Sequence, residues 1–171
     1  PTLTAAITPA AAAAIGALTD AGESPDYIAE RIRLLVEILD RRVVGAERAR
    51  PYILTTSLLE LSRLDVPEAT ARRFLEVLVD LSIDDDGARG WPVIVRDTSL
   101  GDSGPSTVHT AAAVRTLAAW ASRFDDDGLR GLAESGRAWL ERQALLDLLA
   151  RHRPRALRRG ERLYGREQEG V

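Results

Sequence analysis

The stretch from residue 106 to residue 143 reads STVHTAAAVRTLAAWASRFDDDGLRGLAESGRAWLERQ, and it decides the fold class. Its first part is almost wholly apolar and predicts a helix from Ser106 to about Arg123 that is buried on all sides. Its second part mixes apolar and charged residues at helical spacing and predicts an amphipathic helix from Leu129 to about Leu149. Residues 125–128, three aspartates and a glycine, form the turn between them. The unit is therefore an apolar helix followed by an amphipathic one.

The same order of helix types occurs twice earlier in the chain. An alanine-rich helix from Thr8 to Leu18, with Thr8 as N-cap and Pro9 at the first position, precedes an amphipathic helix that opens at Ser24. An apolar helix from Tyr52 to Leu64 then precedes an amphipathic one from Pro67 to about Leu81. Apolar and amphipathic helices in alternation make an inner and an outer layer. The sequence thus predicts an all-α fold, an α/α-toroid-like arc of about three helix pairs with the apolar helices inside.

The remaining segments are a long loop and a basic end. Residues 84–105 are rich in Asp and Gly and predict a loop, and the one β-like run, Pro92 to Val95, is short and opens with Pro. From Arg151 onward arginines dominate, with Pro154 as a break. We therefore expect a helical-repeat domain over residues 1–150 and a basic C-terminal helix or tail over residues 151–171.

Composition excludes several kinds of chemistry. The chain has 171 residues, a net charge of -3 and no Cys, so thiolate nucleophiles and Cys-ligated zinc are ruled out. A Cys-free chain fits a cytoplasmic location, and no apolar run reaches the ~18 residues that a transmembrane helix needs. Every basic side chain apart from the two His is Arg, which a GC-rich genome would explain. The arginines by themselves are thus weak evidence for nucleic-acid binding.

Several motifs resemble the α/α-toroid repeats of squalene-hopene and terpene cyclases and of the prenyltransferase β subunits. Residues 107–117 (TVHTAAAVRTL) resemble the inner helix of that family, and residues 131–143 resemble its outer helix with the Trp-Leu-x-x-Gln ending. Residues 55–61, in the preceding helix pair of this chain, also resemble the inner helix of that family. Residues 86–92 (DGARGWP) resemble the Asp-Gly-Gly-Trp-Pro turn. The resemblance implies a toroid fold and an isoprenoid-processing ancestry.

The aspartate runs are the candidates for acid chemistry. The cyclases of that family protonate an alkene with an Asp-x-Asp-Asp motif, and Asp84, Asp85 and Asp86 are the nearest approach to it here. Neither this run nor residues 125–127 has that spacing, and each is followed by Gly, which favours solvated acidic turns. A divalent-ion site for Mg²⁺ is the alternative, because clustered carboxylates suit such ions. We predict no other metal or cofactor.

A second candidate site lies where the apolar helix of residues 106–123 begins. Ser106, Thr107, His109 and Thr110 place polar groups at a helix N-terminus, where free N–H groups bind anions. Trp91, before this helix, joins them as a ligand-binding candidate, although Trp91, Trp120 and Trp139 are most simply core and turn residues. A lone His is more often structural than catalytic, and no Ser-His-Asp order or phosphate loop is present.

The arginine-rich end is the third candidate. Arg151, Arg153, Arg155, Arg158 and Arg159 would bind an anionic partner: an RNA, a lipid head group or an acidic protein surface. The simpler interpretation is a solvated terminal helix. Beyond Tyr164 no aromatic residue interleaves with the arginines, so single-strand stacking has no support and nucleic acid is disfavoured as a partner.

Three functions remain in competition. The first is a non-catalytic helical-repeat module that binds a protein, a further copy of itself or a small apolar ligand, and the missing catalytic motifs favour it. The second is an isoprenoid-processing enzyme that acts as an oligomer or with a partner subunit, which the family resemblance favours. The third is an adaptor that binds an anionic partner through the arginine-rich end.

Overall fold

The computed structural model describes residues 3–41, 51–93 and 104–151, with side chains from Pro9 onward. This part of the chain is predominantly helical, which confirms the all-α class. Its elements are α1 (Leu3–Asp20), α2 (Pro25–Leu39), α3 (Pro51–Leu61), α4 (Glu68–Asp80), β1 (Ile83–Asp85), β2 (Ala88–Gly90), α5 (Thr107–Phe124) and α6 (Asp127–Arg151). None of the helices in these ranges is long and apolar enough to cross a bilayer.

The chain divides into two compact units, and the division falls inside α6. The first unit is Pro1–Leu140 and the second is Glu141–Val171. Within the first unit α3 packs against both α1 and α5, while α2 packs against α1 and α4 against α3. The apolar helices are thus in contact with one another, and an amphipathic helix packs on each of the first two.

Helices α3 and α5 run parallel. The contacting pairs, in order along both helices, are Tyr52–His109, Thr55–Thr116, Leu58–Trp120 and Ser62–Arg123. In the middle of this interface the Thr116 hydroxyl donates to the Thr55 carbonyl at 2.9 Å, and the Trp120 indole N–H donates to the Leu58 carbonyl at 2.9 Å. Because the residue numbers of the partners increase together along both helices, the two helix axes are parallel. The N-terminal ends of α3 and α5 therefore lie side by side.

The start of α2 follows directly from its sequence. Ser24 is the N-cap, its side chain accepts a hydrogen bond from the Tyr27 N–H at 3.3 Å, and Pro25 occupies the first helical turn. The helix is amphipathic, as its sequence predicts, and the buried residues on its apolar side are Ile28, Ile32, Leu35 and Leu39. Arg33 pairs with Glu30 and Glu37 on the exposed face. The prediction for this helix is confirmed.

Helix α1 begins earlier than its sequence suggested. It runs from Leu3, so Pro9 lies inside the helix and not at its first position. Proline lacks the N–H that would bond the carbonyl four residues back, but a helix can pass through it at the cost of that bond. Leu3, Ala5 and Ala6, which precede Pro9 in this helix, are good helix formers and offset part of the loss.

We predicted that the apolar helices are buried on all sides, and this prediction is wrong for α5. Helix α5 buries seven residues along one face: Thr110, Ala113, Val114, Thr116, Leu117, Trp120 and Ala121. Its other face is accessible at Val108, which is 63% exposed, and at Arg115 and Ala118. Alanine adds little apolar area, so an alanine-rich face can stay in water at small cost. The low polarity of the sequence therefore overstated the burial.

Part of the predicted loop is a β-hairpin. Strands β1 and β2 pair antiparallel, with Ile83 opposite Gly90 and Asp85 opposite Ala88. Asp86 and Gly87 make the turn at φ values of 55° and 78°, in the left-handed region that suits Gly and Asp. Pro92 bridges to Pro105, while residues 94–103, which include the end of the β-like run, lie outside the described ranges. Strands of three residues leave too short a periodicity to be recognised in the sequence.

Candidate functional site

The predicted ligand-binding residues converge at the N-terminal end of α5. The Trp91 backbone N–H donates to the Thr110 hydroxyl at 2.9 Å, and the Ser106 N–H donates to the Trp91 carbonyl at 2.9 Å. The Trp91 indole N–H donates to the Leu78 carbonyl at 2.8 Å. Trp91 and Thr110 are both fully buried. These two residues therefore fasten the segment after β2 to α4 and α5, and their polar groups are engaged within the fold.

His109 and Ser106 are half-buried members of this group. His109 Nδ1 lies 3.0 Å from the Ser106 hydroxyl, and its ring meets the edge of the Tyr52 ring at a centroid distance of 5.7 Å. Ser106 is the N-cap residue of α5, yet its side chain makes no capping hydrogen bond. Burial lowers the pKa of His109, so the imidazole is neutral at neutral pH. Thr107 is exposed beside it.

The neutral state of His109 can be measured directly. The chain has two histidines, so an NMR titration with the His109→Asn variant assigns the resonance of His109. We expect its pKa to lie below the ordinary value of about 6.5. Because the unfolded chain then takes up the proton first, the free energy of unfolding should fall as the pH drops through 6.5. The Asn variant should lack that part of the pH dependence. A measured pKa at or above 6.5 would contradict this placement.

The three candidate acids lie in the hairpin. Asp84 accepts a hydrogen bond from the Gly87 N–H at 3.0 Å, and Asp85 accepts one from the Trp139 indole N–H at 2.7 Å. Asp86 is, with Gly87, one of the two left-handed residues of the turn. Asp84 and Asp85 thus stabilise the hairpin and join it to α6, an arrangement that differs from an acid aimed into an apolar cavity.

The second aspartate run joins three elements. Asp126 accepts a hydrogen bond from the Leu129 N–H at 3.0 Å, which caps the first turn of α6, and it pairs with Arg72 of α4 at 2.7 Å. The Arg72 guanidinium, with the Leu129 N–H, lowers the pKa of Asp126. Arg72 also lies over the Phe124 ring, 4.7 Å from its centroid. This pairing could not be predicted from local sequence patterns, because its partners are 54 residues apart.

The described part of the chain has no cluster of metal-ligating side chains, and two of its surface depressions are small. Across residues 3–41, 51–93 and 104–151, no three His, Asp or Glu side chains come close enough together to hold a metal ion. One surface depression beside Arg72, Leu75 and Leu129 has a volume of about 200 Å³, and another beside Ala118, Arg130 and Arg137 has about 180 Å³. Both are smaller than the ~300 Å³ at which pockets for organic ligands usually begin.

The arginine-rich end is described only at its beginning. Arg151 is the exposed last residue of α6, and Arg153, Arg155, Arg158 and Arg159 lie outside the described ranges. The residues before it form a surface that we did not predict. Leu145, Leu146, Leu148 and Leu149 are 55%, 51%, 52% and 57% exposed, and we call these four residues the leucine face. The helical spacing of the four leucines was a readable signal in the sequence.

No family model, no curated protein and no solved structure matches the chain at a significant level.

Proposed function

We propose that the protein is a non-catalytic interaction module and that the leucine face is its contact surface. The observation that carries this proposal is the exposure of four leucines within five residues of one helix, each more than half accessible. All four belong to the second unit, Glu141–Val171. Scattered exposed apolar residues are normal on a folded protein, but a contiguous apolar patch marks an interaction surface.

The geometry of α6 gathers the four leucines on one side. At 3.6 residues per turn they span about 160° of the helix circumference, with Leu145 and Leu149 near the centre. Asp147 lies opposite that centre and is exposed as well. This end of α6 is therefore amphipathic, and such a helix gains free energy when its apolar face meets another apolar surface.

For the scaffold we propose an α/α-toroid-like arc. Two observations support it: α3 contacts both α1 and α5, and α3 and α5 run parallel. Parallel apolar helices in lateral contact, each accompanied by an amphipathic helix, are what a stack of helix pairs requires. The resemblance of residues 107–117 and 131–143 to the cyclase and prenyltransferase repeats is consistent with this arrangement. The cytoplasm is the location we propose.

The isoprenoid-processing alternative has less support. Asp84 and Asp85 accept hydrogen bonds from Gly87 and Trp139, and Asp126 caps α6 while it pairs with Arg72. Trp91 and Trp120 are fully buried with their indole N–H groups bonded to backbone carbonyls. Residues that would have to protonate a substrate or stabilise a carbocation thus already serve the fold.

A photo-crosslinking experiment tests the proposed surface. A diazirine amino acid is introduced at Leu145, and a matched variant carries it at Asp147, two residues away and on the other side of the helix. We expect irradiation of expressing cells to give adducts, identified by mass spectrometry, at position 145 and few at position 147. Equal yields at the two positions, or none at either, would contradict the proposal.

A further inference from the structure

We infer that the leucine face docks on an anionic lipid surface and that the arginine-rich end supplies the electrostatic attraction. The inference rests on the proposed function, because it names the partner of the same surface. The leucines would enter the boundary between head groups and acyl chains. The arginines would remain at the level of the lipid phosphates.

The distribution of charge favours an anionic partner. Residues 151–171 contain seven arginines and three glutamates, a net charge of +4, while the preceding 150 residues carry a net charge of -7. Six of those arginines fall within residues 151–162. The positive segment begins two residues after Leu149, with the exposed Arg151. The positively charged segment thus follows the apolar face directly in the sequence, a combination that is typical of segments that bind membrane surfaces.

A second copy of the chain fits this surface less well. Four half-exposed leucines offer a few hundred Å² of apolar area, so two copies would bury less than the ~1,200 Å² of an ordinary stable interface. A lipid surface needs no matching shape and supplies the opposite charge.

A nucleic acid fits less well still. Arginines would contact the phosphates of a nucleic acid. Proteins bind the rest of a nucleic acid mainly through polar contacts and aromatic stacking, and Leu145 and Leu149 can make neither. Nothing in such a complex would cover the leucine face. Of a second copy, a nucleic acid and a lipid surface, the lipid surface is the partner that uses both features.

The two features should be needed together. A single weak apolar anchor gives marginal and reversible membrane binding, and stable attachment takes a second signal such as a basic patch. We therefore expect the chain to bind vesicles that contain phosphatidylglycerol and to ignore vesicles of phosphatidylcholine alone. Binding should weaken as salt is added, because arginine attraction to a charged surface is screened.

Vesicle co-sedimentation of the full chain tests this inference with three variants. Leu145→Ser/Leu149→Ser removes the centre of the apolar face, and Arg153→Glu/Arg155→Glu reverses two charges. Ile38→Ser, at an isolated apolar residue that is 40% exposed, is the matched control. We expect the first two variants to bind phosphatidylglycerol vesicles at least about tenfold more weakly and the control to bind as wild type does. Circular dichroism checks that each variant is folded.

The outcomes separate this inference from the proposed function. Equal binding to both kinds of vesicle, no binding to either, or full binding by the serine variant would overturn the lipid inference. If vesicles are ignored while the probe at Leu145 gives a protein adduct, the interaction module stands and its partner is a protein. If vesicles are ignored and the arginines bind RNA instead, the lipid inference falls and the third sequence-based function gains. If neither vesicles nor the probe report a partner, both proposals fall.

Discussion

Replacing Trp91 by alanine is expected to lower the free energy of unfolding by about 3–5 kcal/mol. The side chain is fully buried, and its loss would leave a cavity among residues of α4, α5 and α6. The Leu78 carbonyl would also lose the indole N–H that it accepts at 2.8 Å. Since domains of this size are stable by about 5–15 kcal/mol, the variant should be at least partly unfolded at elevated temperature.

Urea denaturation measured by circular dichroism tests this expectation. Trp91→Phe should cost less than the alanine variant, because the ring still fills most of the space and mainly the hydrogen bond is lost. Val108→Ala is the control in the same region: Val108 is 63% exposed, so the change should stay within about 0.5 kcal/mol. If Trp91→Ala were as stable as wild type, the residue would not be a core residue and its predicted role in ligand binding would regain support.

Replacing Gly136 by alanine is expected to lower the free energy of unfolding by about 1–3 kcal/mol. An added Cβ would lie 2.6 Å from Val114 Cγ2 and 3.1 Å from Trp91 Cζ3, both in the packed interior. A β-branched valine and a buried indole cannot move aside without opening space elsewhere. Alanine normally stabilises a helix by up to about 1 kcal/mol relative to glycine, so the steric cost must exceed that gain.

Gly131 provides the matched control on the same helix. No atom lies within 4 Å of an added Cβ there, so Gly131→Ala should raise the free energy of unfolding by up to about 1 kcal/mol. A double variant, Gly136→Ala with Val114→Ala, should lose less stability than the two single variants added together, because the second change makes room for the first. Stabilisation by Gly136→Ala alone would mean that α5 and α6 do not approach as closely as described.

Local signals in the sequence identified most of the helices. The Ser24-Pro25 start of α2 was predicted to the residue, because a cap and a proline act within one turn of the helix. Helices α3 to α6 were predicted to within about three residues at each end. The predicted start of α1 was wrong, because a helix can pass through a proline at the cost of one backbone hydrogen bond, so a Thr-Pro pair does not always mark a helix start. The lateral arrangement as a toroid stays a prediction.

Candidate site residues were harder to interpret than helices. Trp91, Ser106, His109 and Thr110, which the sequence analysis named as candidates, lie close together in the structure. The sequence could not show that Trp91 and Thr110 are buried and hydrogen-bonded to each other, or that the Trp91 indole N–H is bonded to α4. The leucine face was not predicted, because amphipathic periodicity gives the apolar side of a helix but does not say whether that side is covered.

The sequence by itself determined the all-α class, the alternation of apolar and amphipathic helices and the turns at the aspartate–glycine runs. These features arise from hydrogen bonds and side-chain spacing within a few residues, so they can be predicted from short stretches of sequence. Only the tertiary structure decided which distant groups meet: Asp126 with Arg72, Asp85 with Trp139, and Thr116 with the Thr55 carbonyl, 54 to 61 residues apart. It also decided that four leucines of α6 remain exposed. Such pairings and exposures depend on how helices pack, and packing is a property of the whole chain.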